Sequence, residues 1–143
     1  MWKSIYNGIF YMRYLVVKAG YLSVGISDQF ADDFDQKDLQ EDLGISDSLW
    51  NEITQWVRDY SVITSPFSKG GGVLPSSLEK INELDQRGID LIEKLLNEFD
   101  FDVKIVYKSE GMYYCPSYLK HQNKFDNKLF YQRKGEKYKS KQV

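Results

Sequence analysis

The sequence predicts an α+β domain. Its expected parts are a small antiparallel sheet, made of an N-terminal hairpin plus a strand near 101–108, and two main amphipathic helices near 47–60 and 77–99. Two observations carry this reading. From Ser77 to Phe99 apolar residues return with a helical period, at Leu78, Ile81, Leu84, Leu91, Ile92, Leu95, Leu96 and Phe99. The period then drops to two. Phe101, Val103, Ile105 and Tyr107 alternate with Asp102, Lys104, Val106 and Lys108, as in a strand with one buried face. A chain of 143 residues makes one domain, large enough to bury a core without disulfides or metal.

In chain order, Ile9 to Val17 is a β-prone run that puts Phe10, Met12, Tyr14 and Val16 on one face. Lys18, Ala19 and Gly20 can turn it, and Tyr21 to Ile26 offers Leu22, Val24 and Ile26 as the returning arm of an antiparallel hairpin. Phe30, Phe34, Leu39 and Leu43 have the spacing of one or two short docked helices, with Gly44 as the stop.

The helix near 47–60 starts at a Ser46 or Asp47 cap, with Glu52 placed for a capping box. Trp50, Ile53, Trp56, Val57 and Tyr60 form its apolar stripe, and both tryptophans read as core. The 77–99 helix is limited at its start by Pro75 and capped by Ser76 or Ser77. Gly88 interrupts its stripe at a cost of roughly 1 kcal/mol relative to alanine, which points to close approach by a bulky neighbour such as a Trp ring, or else to a local break. Beyond the strand, a turn at Ser109–Gly111 and a return over Met112–Cys115 are expected.

Charge divides the chain. Residues 1–115 hold eleven Lys/Arg against nineteen Asp/Glu, whereas residues 116–143 hold eight against two. The expected organisation is therefore a single folded domain over 1–115 followed by a basic, partly disordered tail over 116–143. Within the folded part, Ser27–Asp47 is the densest acidic segment, with Asp28, Asp32, Asp33, Asp35, Asp38, Glu41, Asp42 and Asp47 against Lys37 alone. It lacks the ligand spacing, central glycine and terminal glutamate of a calcium loop. The Gly70–Gly72 run lacks the GxxxxGK[ST] arrangement and reads as a connection, not a phosphate cradle.

No catalytic constellation, cofactor motif or metal site is expected. Cys115 stands alone, which excludes an internal disulfide framework and fits a reducing compartment. His121 is the sole histidine and has no partner suggesting a triad. No apolar run reaches the ~18–20 residues of a membrane span, and Asn7, Arg13 and the tyrosines near the start argue against a signal peptide. A cytoplasmic protein without a membrane partner is the expectation.

Three segments, YLSVGIS, ISDSLWNEITQWVRDY and LDQRGIDLIEKLLNEFDFDVKIVYKSEG, together resemble small immunity proteins of bacterial polymorphic-toxin systems, including contact-dependent growth inhibition. The pattern that carries the resemblance is Asp85, Gly88, Leu91, Leu95 and Glu98 followed by the strand Lys104–Tyr107, and the likeness covers roughly residues 9–111. It implies a non-catalytic antitoxin that binds the C-terminal domain of a cognate toxin, many of which are nucleases, in the producing cell's cytoplasm.

An acidic surface would suit such a partner, because a nuclease groove must be basic and opposite charge speeds encounter. The candidate toxin-binding residues are Asp28, Asp32, Asp33, Asp35, Asp38, Glu41 and Asp42, with rim support from Asp85 and Asp90. A different class stands behind this one: a small nucleic-acid-binding accessory protein using the basic and aromatic residues of 116–143. It is the less favoured reading, and nucleic acid is not the expected partner.

Overall fold

A computed structural model describes residues 12–19, 24–29, 36–64, 78–109 and 125–133. Seven elements follow in order: β1 (Arg13–Ala19), β2 (Gly25–Asp28), α1 (Gln36–Leu43), α2 (Asp47–Thr64), α3 (Leu78–Glu98), β3 (Val103–Ser109) and β4 (Lys128–Gln132). The fold is α+β, one four-stranded sheet in the order β2-β1-β3-β4 beneath a layer of helices.

The sheet is mixed, not antiparallel. β1 and β2 form the expected antiparallel hairpin, with Val17 opposite Ile26, but β3 lies parallel to β1 from Arg13/Val103 to Ala19/Ser109. Alternation along a strand dictates which side chains share a face and is silent on direction. Direction comes from the connection: a parallel pair needs a long crossover, and here the whole helical layer lies between β1 and β3. β4 then pairs antiparallel with β3 and closes the far edge, with Ile105 opposite Phe130.

This last strand corrects the expected boundary after residue 115. Phe125 and Phe130 are buried, the Gln132 amide donates to the Phe99 carbonyl at 2.9 Å, and residues 125–133 belong to the folded body. The proposed return strand over 112–115, the Gly70–Gly72 connection, Cys115 and His121 lie outside the described residues.

The face covered by the helices is Leu15, Val17 and Ala19 of β1 with Val103, Ile105 and Tyr107 of β3. Tyr14 and Val16 therefore point the other way and are half-buried, and Val24 is exposed just before β2. In a run as apolar as IFYMRYLVV both parities look buriable, which leaves the choice to register.

Both long helices bury most of their expected stripes, Trp50 and Val57 packing half-buried against the core. α2 buries Leu49, Ile53, Trp56 and Tyr60; α3 buries Ile81, Leu84, Leu91, Ile92, Leu95 and Leu96. They are antiparallel, since contacts pair Glu52 with Lys94, Asp59 with Arg87 and Tyr60 with Asp85. α1 docks through Leu39 and Leu43 and stops at Gly44, whose φ of 72° lets Ile45 N–H reach the Gln40 carbonyl in a Schellman turn.

Ser46 caps α2, its hydroxyl accepting from Leu49 N–H at 3.2 Å. The reciprocal carboxylate comes not from Glu52 but from the end of α3. Glu98 accepts from Ser46 N–H at 2.9 Å and from its hydroxyl at 2.7 Å, while Glu52 pairs with Lys94. One carboxylate thus ties the start of α2 to the end of α3.

Gly88 is where α2, α3 and the sheet converge. A β-carbon built there would lie 2.6 Å from Trp56 Cζ2 and 2.6 Å from Tyr107 Cε1. The interruption in the stripe is therefore a close approach by a Trp ring, joined by a Tyr from the sheet. The helix continues through it unbroken.

Candidate functional site

The acidic segment divides on folding. Arg13, the first residue of β1, is buried on the helix-facing side. Its Nε and NH2 donate to Asp28 Oδ2 at 3.1 and 2.6 Å, and NH2 lies 2.9 Å from Asp42 Oδ2. The three side chains are only 6%, 7% and 11% exposed, so this triad joins β1, β2 and α1 in the interior. Asp28 and Asp42 consequently hold the fold together and are not presented to a partner, which corrects their inclusion in a surface. The signal for this was an unexplained cation inside IFYMRYLVV, whose partners lie far along the chain.

Removing one member of a buried ionic group is costlier than the pairing is worth, because charge is left without compensation. Arg13→Met is expected to lower stability by about 3–5 kcal/mol. Urea unfolding followed by far-UV circular dichroism checks this, and a loss below ~1 kcal/mol contradicts it.

Asp38 and Glu41 do face solvent, on the outer side of α1. Asp32, Asp33 and Asp35 lie outside the described residues. Asp90 is exposed on α3, where it accepts from Gln86 at 3.0 Å.

Asp85 is the opposite case and is corrected here: it is fully buried. Its Oδ1 accepts from Tyr60 at 2.9 Å and from Tyr107 at 2.5 Å, and its Oδ2 accepts from Ser109 at 2.8 Å. One carboxyl thus gathers hydroxyls from α2 and β3 under α3. Beside it the Trp56 indole donates to the Leu84 carbonyl at 2.8 Å, and the Trp56 and Tyr60 rings meet edge to face. Every hydroxyl in this network finds an acceptor inside the core, the condition under which buried polar groups are tolerated.

The outer surface of α2 and α3 carries two cross-helix ion pairs, Glu52–Lys94 at 2.7 Å and Asp59–Arg87 at 2.8 Å. The hydrogen bond from Arg87, helped by one from Gln55, holds the Asp59 carboxyl below the usual carboxylate range. Its stabilising effect is present at neutral pH and fades on acidification through that range. With both side chains about two-fifths exposed, solvent screening keeps the pair under about 1 kcal/mol. The grooves on either side of Arg87 are open, one bounded by Glu52, Asp90, Glu93 and Lys94, the other by Asp59, Lys80 and Glu83. Among the described residues no group of three or more His, Cys, Asp or Glu is placed to hold a metal ion, and no helix is long and apolar enough to cross a membrane.

The larger pattern is a separation of charge by layer. The three helices carry twelve carboxylates against five Lys/Arg, and ten of the twelve lie outside the buried Asp42 and Asp85 positions. The four strands carry five Lys/Arg against the single carboxylate of Asp28, which faces inward. Among the described residues the helical layer is acidic, and the strand positions facing away from it carry no carboxylate, Asp102 lying just before β3. Lys18, Lys104 and Lys108 all lie within residues 1–115, so folding, and not the change of charge after residue 115, separates the strand lysines from the helical carboxylates. Comparison with family models, curated proteins and solved structures returns no match for the chain.

Proposed function

We propose that the protein is a non-catalytic, stoichiometric inhibitor that grips a basic partner protein through its acidic helical layer. The partner that best fits is a cognate bacterial toxin domain with a basic, nucleic-acid-handling groove. The observation that carries the reading is the concentration of exposed carboxylates on α1, α2 and α3, including Asp38, Glu41, Glu52, Glu83 and Asp90. Such a surface imitates a polyanion, steers a cationic partner into contact and loses that advantage as salt rises. The resemblance to immunity proteins points the same way, and the Asp85–Gly88–Leu91–Leu95–Glu98 pattern behind it is accounted for as architecture. Asp85 and Gly88 organise the core and Glu98 caps α2.

Co-expression with the product of the adjacent reading frame is the first test, and a one-to-one complex is expected. In that complex, neutralising Asp38, Glu41, Asp90 and Glu93 together is expected to slow association at least about tenfold at ~50 mM salt. The melting temperature should stay near that of the parent, because Asp38, Glu41 and Asp90 are exposed and Glu93 is only half-buried. A companion variant neutralising Asp32, Asp33 and Asp35 probes the rest of the acidic segment. If both variants associate at the parental rate at low salt, the acidic layer is not the interface.

A further inference from the structure

The sheet face turned away from the helices has its own chemistry. Register places Tyr14, Lys104 and Tyr131 in one row across β1, β3 and β4, with Val106 and Leu129 paired in a second row. Lys108 follows at the next outward position of β3, its ammonium held by Asn127 of the β3–β4 turn. Tyr131 and Leu129 are 54% and 49% exposed. The Lys104 ammonium sits 5.5 Å from the centre of the Tyr131 ring, so a cation and an aromatic plane are presented side by side.

None of the strand positions on this face carries a carboxylate, whereas the opposite layer is strongly acidic. Exposed Arg133 extends the positive charge just past the end of β4. An ordinary solvated sheet face would be polar and mixed in sign. This one combines exposed apolar and aromatic surface with lysines along its strands, the one nearby carboxylate of the same parity being Asp102, just before β3.

We infer that this open face is a platform for single-stranded nucleic acid. Tyr131 offers a ring on which a base stacks, Leu129 and Val106 give an apolar floor, and Lys104 and Lys108 neutralise the backbone phosphates. Stacking is available to any base, so such a platform is tolerant of sequence and depends on salt. A duplex hides its base faces and would lose the stacking contribution. The acidic helical layer, on the other side of the sheet, keeps the strand confined to this face by repulsion. Of the basic and aromatic residues after 115, Lys128, Phe130 and Tyr131 enter the sheet through β4.

The test uses the full chain and fluorescein-labelled oligo(dT) and oligo(U) of about twenty nucleotides, read by anisotropy. Binding of both at ~50 mM salt is expected, with log affinity falling against log salt at a slope of roughly 0.7 per neutralised phosphate. Tyr131→Ala should weaken it about fivefold or more through lost stacking. Lys104→Gln with Lys108→Gln should reduce the slope by about 1.4. Lys80→Gln, on the helical layer, should leave binding unchanged. Tyr131, Lys108 and Lys80 are exposed and Lys104 is half-buried, and circular dichroism confirms that the variants fold.

Absence of binding at ~50 mM salt overturns the inference. So does binding that Tyr131→Ala and the double lysine variant leave intact, since the charge then comes from elsewhere in the chain. Equal affinity for duplex and single strand denies the stacking platform. Capture of a protein on this face, abolished by Tyr131→Ala and unaccompanied by oligonucleotide binding, replaces the nucleic acid with a protein partner.

Discussion

Asp85→Ala is expected to lower the stability of the protein by about 3–5 kcal/mol, a large share of the total for a domain of this size. The side chain is fully buried and accepts hydrogen bonds from Tyr60, Tyr107 and Ser109. Deleting it leaves these hydroxyls facing a small cavity, each losing a bond whose absence costs about 1–3 kcal/mol when water cannot reach. The hydroxyls can partly reorient, since Tyr60 and Ser109 lie 3.4 Å apart, so the penalties do not simply add.

Asp85→Asn preserves the shape and one accepting oxygen and should lose roughly half as much. Tyr107→Phe removes a single donor and should cost about 1–2 kcal/mol. Urea denaturation with constant slope measures all three. A stability change under ~1 kcal/mol for Asp85→Ala would mean that the network is incidental to the core.

Gly88→Ala is expected to destabilise by about 1–3 kcal/mol, against the direction of helix propensity. In an exposed helix the same change would gain about 1 kcal/mol. Here the added methyl meets two aromatic carbons at 2.6 Å, and both rings are fully buried. Trp56 cannot swing aside without breaking its bond to the Leu84 carbonyl, nor Tyr107 without leaving Asp85. Relief therefore requires α3 to move off the sheet, and overpacking of this kind is costly.

Combining Gly88→Ala with Trp56→Phe, which shortens the ring at the point of contact, should cost less than the sum of the two single changes. Thermal and urea unfolding of the four members of that cycle give the coupling. A stabilised Gly88→Ala variant would show that the helix and sheet are farther apart than these contacts require.

The two predictions bear on what could be read before folding. Gly88 was legible because a glycine on an otherwise apolar stripe has few explanations, and a nearby Trp ring was among them. Asp85 was not, because a carboxylate next to Leu84 in a charged-looking helix resembles any other surface acid. Its position on the buried arc is visible in the spacing from Ile81 to Ile92, but the hydroxyls that make burial tolerable come from residues 22 to 25 positions away. The same holds for Asp28 and Asp42, whose shared partner Arg13 sits 15 residues before the first of them. In the acidic segment, charge alone could not separate carboxylates that face solvent, such as Asp38 and Glu41, from those that lock the interior.

By itself the sequence determined the two long helices and their buried stripes, the strand near 101–108 with its buried face, the stop at Gly44 and the uneven charge along the chain. These are local properties, set by side-chain periodicity and by the few residues that cap or turn a backbone. Only the tertiary structure decided that β3 runs parallel to β1, that β4 belongs to the sheet and that Asp28, Asp42 and Asp85 turn inward. It alone placed the strand lysines and the helical carboxylates in different layers. The physical reason is that strand direction, register and the pairing of buried charges depend on contacts between distant segments, whose energies no short window of sequence contains.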